Sequence, residues 1–153
     1  MILVLVVDRI RSMNEIFADT NHNHWAALQV NRDRLHRYAV KAMSELPANS
    51  HIATSDLVLI EFLAHFCQSG KLARLAAIAT WKDIRSGGGI FVVPVSPELV
   101  NRAGELYERA SDKAWSLTDC SSFLIMRDRK IQDALSADHH FVQAGFRTLL
   151  PAL

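Results

Sequence analysis

Strand-like apolar runs that alternate with amphipathic helical segments predict an α/β fold, a single domain of three layers with a parallel sheet of four or five strands between helices. Three stretches carry that reading. "IFVVPV" (90–95) is a continuous apolar run rich in β-branched residues, the clearest buried strand in the chain. "SPEL" (96–99) is a sharp helix start, with Ser96 at the cap and Pro97 at the first helical position. The stretch Ser116 to Phe141, "SLTDCSSFLIMRDRKIQDALSADHHF", joins a helix to a strand and carries two carboxylates where a fold can use them. The size agrees: 153 residues, 50% of them hydrophobic, suffice for one domain with a sizeable core.

Taken in order, Ile2 to Val7 is a buried-strand pattern, followed by a second short run, "IFAD" (16–19). Two strands this close are awkward in a parallel sheet, which needs a long crossover between them. Residues 1–12 therefore read either as an extra edge strand or as an extension upstream of a natural start at Met13. From Trp25 to Leu46 the pattern is helical, with Leu35, Ala39, Ala42, Met43 and Leu46 on one face and Arg32, Asp33, Arg34, Arg37 and Lys41 mostly on the other. "HIAT" (51–54) is a strand. "TSD" caps the next helix, whose core residues include Leu59, Phe62, Leu63 and Phe66, with Glu61 among them. Gly70 precedes an amphipathic segment, Leu72 to Ile84, and "SGGG" (86–89) is a turn without phosphate-loop spacing. The helix begun at "SPEL" runs to about Ala110.

Ser116 stands three residues before Asp119, the spacing of a capping box, so Asp119 belongs in the first turn of a helix whose core face is Cys120, Phe123, Leu124 and Met126. "DALSAD" fits a strand ending at Asp138, and "FRTLLP" (146–151) a last short strand. Strand ends and helix starts meet at the carboxyl edge of an open parallel sheet, where such folds place ligands.

Three acids, Asp19, Asp119 and Asp138, thus stand at element ends on the candidate edge, and Glu61 adds a fourth from inside a helix. Each has an ordinary explanation. Asp119 stabilises its helix dipole, by ~0.3–1 kcal/mol at an exposed site. Asp19 and Asp138 start loops, and Glu61 reaches solvent. Gathered on one edge, however, four carboxylates repel and raise each other's pKa unless a cation compensates. Hard oxygen ligands suit Mg²⁺ or Mn²⁺, which can activate a water and hold a phosphodiester for in-line attack.

"IFADTN", the acid in "LVLIEFLAHF", "WSLTDCSSFLIM" and "ALSADHHFVQAGF" together resemble a PIN-domain protein of the VapC-like toxin ribonuclease type, from about Ile16 to the C-terminus. The resemblance implies a small parallel sheet between helices and metal-dependent cleavage of RNA. Carried over by motif, its acids are Asp19, Glu61, Asp119 and Asp138, with Asp19, Asp119 and Asp138 binding Mg²⁺ or Mn²⁺ and Glu61 completing the shell or orienting the attacking water. The family also places hydroxyls or amides near the acids, and Asn21, Ser136 and the cap residue Ser116 fit that pattern. A small antitoxin that covers the acids and a homodimer are implied as partners, making the chain the toxin of a type II toxin–antitoxin pair. One departure is "DTNHNHWAAL", two residues longer than usual between the first acid and the aromatic residue. That loop keeps open a catalytically silent RNA- or protein-binding module, and the same acids would serve a metal-dependent nuclease acting on structured DNA.

Other features bound the reading. A formal net charge of +1 gives no whole-protein field for nucleic acid. Arg127, Arg129 and Lys130 form a local basic cluster, as do Arg32, Arg34 and Arg37; each is either a solvated helix face or a contact to RNA phosphates. His22, His24, His139 and His140 flank acids without the ligand spacing of a zinc site, and read as loop residues, one of them contacting phosphate or substrate. Trp25, Trp81 and Trp115 stack on bases or pack in the core. Cys67 and Cys120, both in apolar helical patterns, read as buried thiols in a reducing cytoplasm. The opening "MILVLVV" is too short to span a bilayer and lacks a basic n-region, so no membrane partner is expected.

Overall fold

The computed structural model describes residues 14–21, 36–87 and 89–151. The opening run, the question of Met13, most of the long loop with His22, His24 and Trp25, and Arg32 and Arg34 lie outside the described residues. Five strands form one parallel sheet: β1 (Asn14–Ala18), β2 (Ser50–Ser55), β3 (Ile90–Val93), β4 (Asp133–Leu135) and β5 (Arg147–Thr148). Their spatial order is β3-β2-β1-β4-β5. The chain therefore winds one way from β1 to β3 and the other way from β4 to β5, and the reversal opens a crevice between β1 and β4.

Helices α1 (His36–Glu45), α2 (Asp56–His65), α3 (Lys71–Arg85), α4 (Pro97–Arg109), α5 (Leu117–Arg129) and α6 (His139–Gln143) connect and cover the sheet. Alternation along the strands divides the core into two layers. Phe17, Ala53 and Ala134 join Val58, Leu99, Phe123, Ile125, Met126 and Phe141 on one face. Ile16, Ala18 and Leu135 face the other way, where Ala42 and Leu46, from α1 and the residue just after it, pack against them. The three-layer expectation is met, with five strands.

The caps are as the sequence implies. Ser55 accepts from the Val58 N–H at 3.2 Å, and Ser96 accepts from the Leu99 N–H at 3.1 Å, with Pro97 following. Ser116 and Asp119 form a complete capping box on α5. The carboxyl end of α5 closes on Lys130 in the left-handed region (φ 60°), with Ile131 N–H donating to the Met126 carbonyl at 2.8 Å.

Several details differ from expectation. The "IFVVPV" strand is an edge strand, its ladder ends at Val93 because Pro94 has no N–H to donate, and Phe91 is 51% exposed. An unbroken apolar run cannot reveal whether a strand has neighbours on both sides. The strand β4 ends at Leu135, three residues before Asp138, which instead caps α6. The last strand is only two residues long, although the Leu149 N–H still donates to the Ala134 carbonyl at 2.9 Å. Met43 is exposed rather than core, and Cys67, just past the end of α2, is exposed while Cys120 is buried.

Phe123 anchors the larger core layer. Its ring packs against Trp115 (4.9 Å between centroids), Phe141 (5.1 Å) and Phe146 (5.8 Å), and it is fully buried. Phe123→Ala is expected to cost about 3–5 kcal/mol in urea unfolding, as for other buried aromatic truncations. A loss under 1 kcal/mol would mean that this aromatic cluster does not anchor the fold.

Candidate active site

Asp19 follows the last residue of β1 directly, at the carboxyl end of a central strand, and its N–H extends the ladder to the Leu135 carbonyl at 3.3 Å. It is 6% exposed. One carboxylate oxygen, Oδ2, accepts from the Ser136 hydroxyl at 2.8 Å, and the Ser136 oxygen accepts in turn from the Asp138 N–H at 3.0 Å. One buried hydroxyl thus ties the end of β1 to the loop after β4.

The other carboxylates approach from separate elements. Glu61, in the second turn of α2 and exposed, accepts from the Thr20 hydroxyl at 2.7 Å, beside Asp19. Asp119, in the first turn of α5, accepts from the Ser116 N–H at 2.7 Å through Oδ2, while its own N–H donates to the Ser116 hydroxyl at 3.0 Å. Asp138 accepts from the His140 N–H at 2.8 Å as the cap of α6. The structure therefore brings Asp19, Glu61, Asp119 and Asp138 to one edge, with Ser136 at its centre and Ser116 behind Asp119. Asn21 lies two residues beyond Asp19, partly exposed, and among the described residues it makes no hydrogen bond to the four acids.

His140 supplies what the sequence did not. It is not in a loop but in α6, with its side chain 15% exposed, and Nδ1 lies 3.3 Å from Asp119 Oδ2 and 3.4 Å from Asp138 Oδ2. That nitrogen is buried and makes no aligned hydrogen bond. His139, mostly exposed, is 3.5 Å from Asp138 Oδ1. Asp138, His139 and His140 offer ligand-type atoms all within 4.8 Å of one another. Adjacent histidines after an acid were visible in the sequence. That one ring would turn in between two carboxylates depends on how α6 sits against α5.

The electrostatics are those of a site short of positive charge. Burial pushes the Asp19 carboxyl up to about 7, and the nearby Asp119 and Glu61 carboxylates push the same way, against the hydrogen bonds from Ser136 and the Thr20 backbone. Among the described residues no lysine or arginine pairs with any of the four acids; the close nitrogen contacts here come from His139 and His140. A crowded oxygen-donor set with uncompensated charge fits a hard divalent cation.

The basic cluster at the end of α5 stands elsewhere. Arg127, Arg129 and Lys130 lie ten or so residues along the helix from Asp119, ~15 Å at 1.5 Å per residue. Arg129 is engaged by Glu15 at the start of β1 (Nε 3.1 Å) and lies over the Phe91 ring at 4.5 Å. These three residues are not brought to the acidic edge.

Residues 16–147 match the family model of the PIN domain. The chain belongs to the PIN-domain family. Within it, the chain is 34% identical over 139 residues to the 23S rRNA-specific endonuclease VapC20 of Mycobacterium tuberculosis, covering 89% of this chain and 98% of that protein. The crystal structure of VapC20, described as a sarcin-ricin loop cleaving toxin, superposes with a TM-score of 0.75 at 31% identity over 89% of this chain and 99% of that one. FitAcB from Neisseria gonorrhoeae shares the fold, with a TM-score of 0.57 at 13% identity over 87% of this chain and 95% of that one. No helix among the described residues is long and apolar enough to cross a membrane.

The sign of the Asp19 effect on stability follows from its proton affinity. The folded carboxyl titrates near 7 against a usual value of 3.8, so the folded state holds the proton more tightly than the unfolded chain. Stability from this group is fully present below about pH 4 and is lost as pH rises to about 7. The difference corresponds to roughly 4 kcal/mol as an upper bound. In metal-free buffer Asp19→Asn is therefore expected to be more stable than wild type at pH 8, with the gap closing towards pH 4.5. Urea unfolding at the two pH values measures it, and a gap that does not change with pH would refute the assignment.

Proposed function

We propose that this PIN-domain protein is a Mg²⁺- or Mn²⁺-dependent endoribonuclease, the toxin of a type II toxin–antitoxin pair whose small antitoxin covers the acidic edge. The observation that carries the reading is the buried Asp19 carboxylate, fixed by Ser136 and crowded by Asp119 and Glu61, with no lysine or arginine partner among the described residues. The 34% identity with the rRNA endonuclease VapC20 favours RNA as the substrate class.

In this reading Asp19, Asp119 and Asp138 hold the metal directly or through water, and Glu61 completes the shell or orients the attacking water. A divalent ion held there lowers the pKa of a bound water and offsets charge building on the phosphate. The chain's own part is positioning. Ser136 fixes Asp19 by donating a hydrogen bond to its carboxylate, leaving that oxygen little freedom to turn. The capping box does the same for Asp119, whose place in the first turn is also favoured by the helix dipole. Glu61, the exposed member, is tethered through Thr20 yet open to solvent, which suits contact with an incoming water. His140, between Asp119 and Asp138, acts as a positioning residue that spaces the two carboxylates.

Asp19→Asn and Asp138→Asn are each expected to lower RNA cleavage by ~100-fold or more while circular dichroism stays unchanged. Cleavage at the wild-type rate would defeat the mechanism. Calorimetric titration with Mn²⁺ should give binding to the wild type and much weaker binding to Asp19→Asn; a wild type that binds no metal would instead be a silent module. Matched RNA and DNA oligonucleotides should be cut in favour of RNA, and the reverse preference would replace the substrate class.

A further inference from the structure

A second feature sits beside Asp119. Tyr107 on α4, Ala114 and Trp115 in the connection to α5, and Ser116 and Leu117 at the start of α5 line a cleft of about 490 Å³, within the size range of small-ligand sites. Tyr107 is 56% exposed and Leu117 41% exposed. Trp115 is held in place: its indole N–H donates to the Gln143 side-chain oxygen at 3.0 Å, and its ring meets Phe123 edge-on at 4.9 Å. Every lining residue is neutral.

We infer that this cleft is a nucleobase subsite, taking the unpaired base of a nucleotide adjacent to the bond that is cut, stacked against the Tyr107 and Trp115 rings. The inference rests on the ribonuclease reading and extends it to the recognition of substrate. Its carrier is continuity: Ser116 lines the cleft, and its N–H donates to Asp119 Oδ2 at 2.7 Å. The cleft wall and a candidate metal-binding carboxylate are therefore one hydrogen bond apart. Base and phosphate in a nucleotide are joined through one sugar, so a chain whose phosphate lies at the acids can turn a base into the cleft. Aromatic rings stack on any base, and a ring already fixed by packing loses little freedom on binding.

The test uses the full chain. Trp25→Phe and Trp81→Phe leave Trp115 as the single tryptophan, and Asp19→Asn prevents cleavage during titration. The probes are a mixed-sequence hexaribonucleotide and a hexamer of the same sugar–phosphate backbone with abasic positions. The base-bearing oligomer is expected to quench Trp115 emission, and the abasic one to leave it unchanged. Tyr107→Ala should weaken binding of the base-bearing oligomer on the order of tenfold without affecting the abasic one. Trp115→Phe, which keeps a ring against Phe123, should weaken it less. Equal quenching by both oligomers, or unchanged affinity in Tyr107→Ala, would overturn the subsite. So would a Tyr107→Ala protein that loses affinity for its antitoxin alone, which would assign the cleft to a protein partner. Cleavage by the wild-type chain is scored separately. Cleavage without quenching removes the subsite and keeps the ribonuclease, whereas base-dependent quenching without cleavage keeps the cleft as a base-binding site and removes the ribonuclease.

Discussion

The Ser136 hydroxyl donates to the Asp19 carboxylate and accepts the Asp138 backbone N–H, joining two residues that are 117 positions apart in the case of Ser136 and Asp19. That bridge sets the position of Asp19 relative to the loop that carries Asp138. A buried carboxylate without a cation is costly unless its oxygens are hydrogen-bonded, and here the bond comes from a side chain that the loop after β4 holds still. On the covering side, Ala137 in the same loop packs with Ala39 of α1 and with Leu150, so the bridge is backed by apolar contacts. The Thr54 hydroxyl adds a second tie, donating to the Ala18 carbonyl at 2.8 Å immediately before Asp19.

Sheet topology explains why the bridge forms at this place. The central strand β1 has β2 on one side and β4 on the other, and the chain reverses its direction of winding between them. At a switch point of this kind the connections on the two sides diverge, and the gap admits side chains and solvent. The amino-terminal turn of α5 points into the same region, bringing Asp119 with its dipole. The opposite edge is built differently. There Arg129 pairs with Glu15 and covers Phe91, Arg147 pairs with Asp133 (Nε 2.6 Å), and Arg102 grips Asp128 with both terminal nitrogens (2.7 and 2.9 Å). Acids are paired with arginines where the strands begin, whereas among the described residues the acids where they end have no lysine or arginine partner.

Much of this was legible in the residues. The capping box is written locally as Ser116 and Asp119, and the ends of β1 and β4 are marked by apolar runs that stop near acids. Local patterns of this kind survive because capping and strand formation are set by neighbours in sequence. What was not legible depends on distant partners. The sequence alone gave no way to see that Ser136 would donate to Asp19, that Asp138 would cap a short helix instead of ending a strand, or that His140 would turn inward between two acids. The same limit hid the edge position of β3, because hydrophobicity reports burial without naming the neighbour. Arg129 is separated from the acids because it and Asp119 lie at opposite ends of α5.

The order of strands has a consequence for how the molecule comes into being. β4 lies next to β1 in the middle of the sheet, although most of the chain is synthesised between them. A ribosome must therefore extrude well over a hundred residues before the centre of the sheet can close, and loops of that size close slowly. Until Ser136 and Asp138 emerge, Asp19 has neither its hydrogen-bond donor nor its neighbouring carboxylate. The acidic edge is thus assembled only near the end of the chain's synthesis.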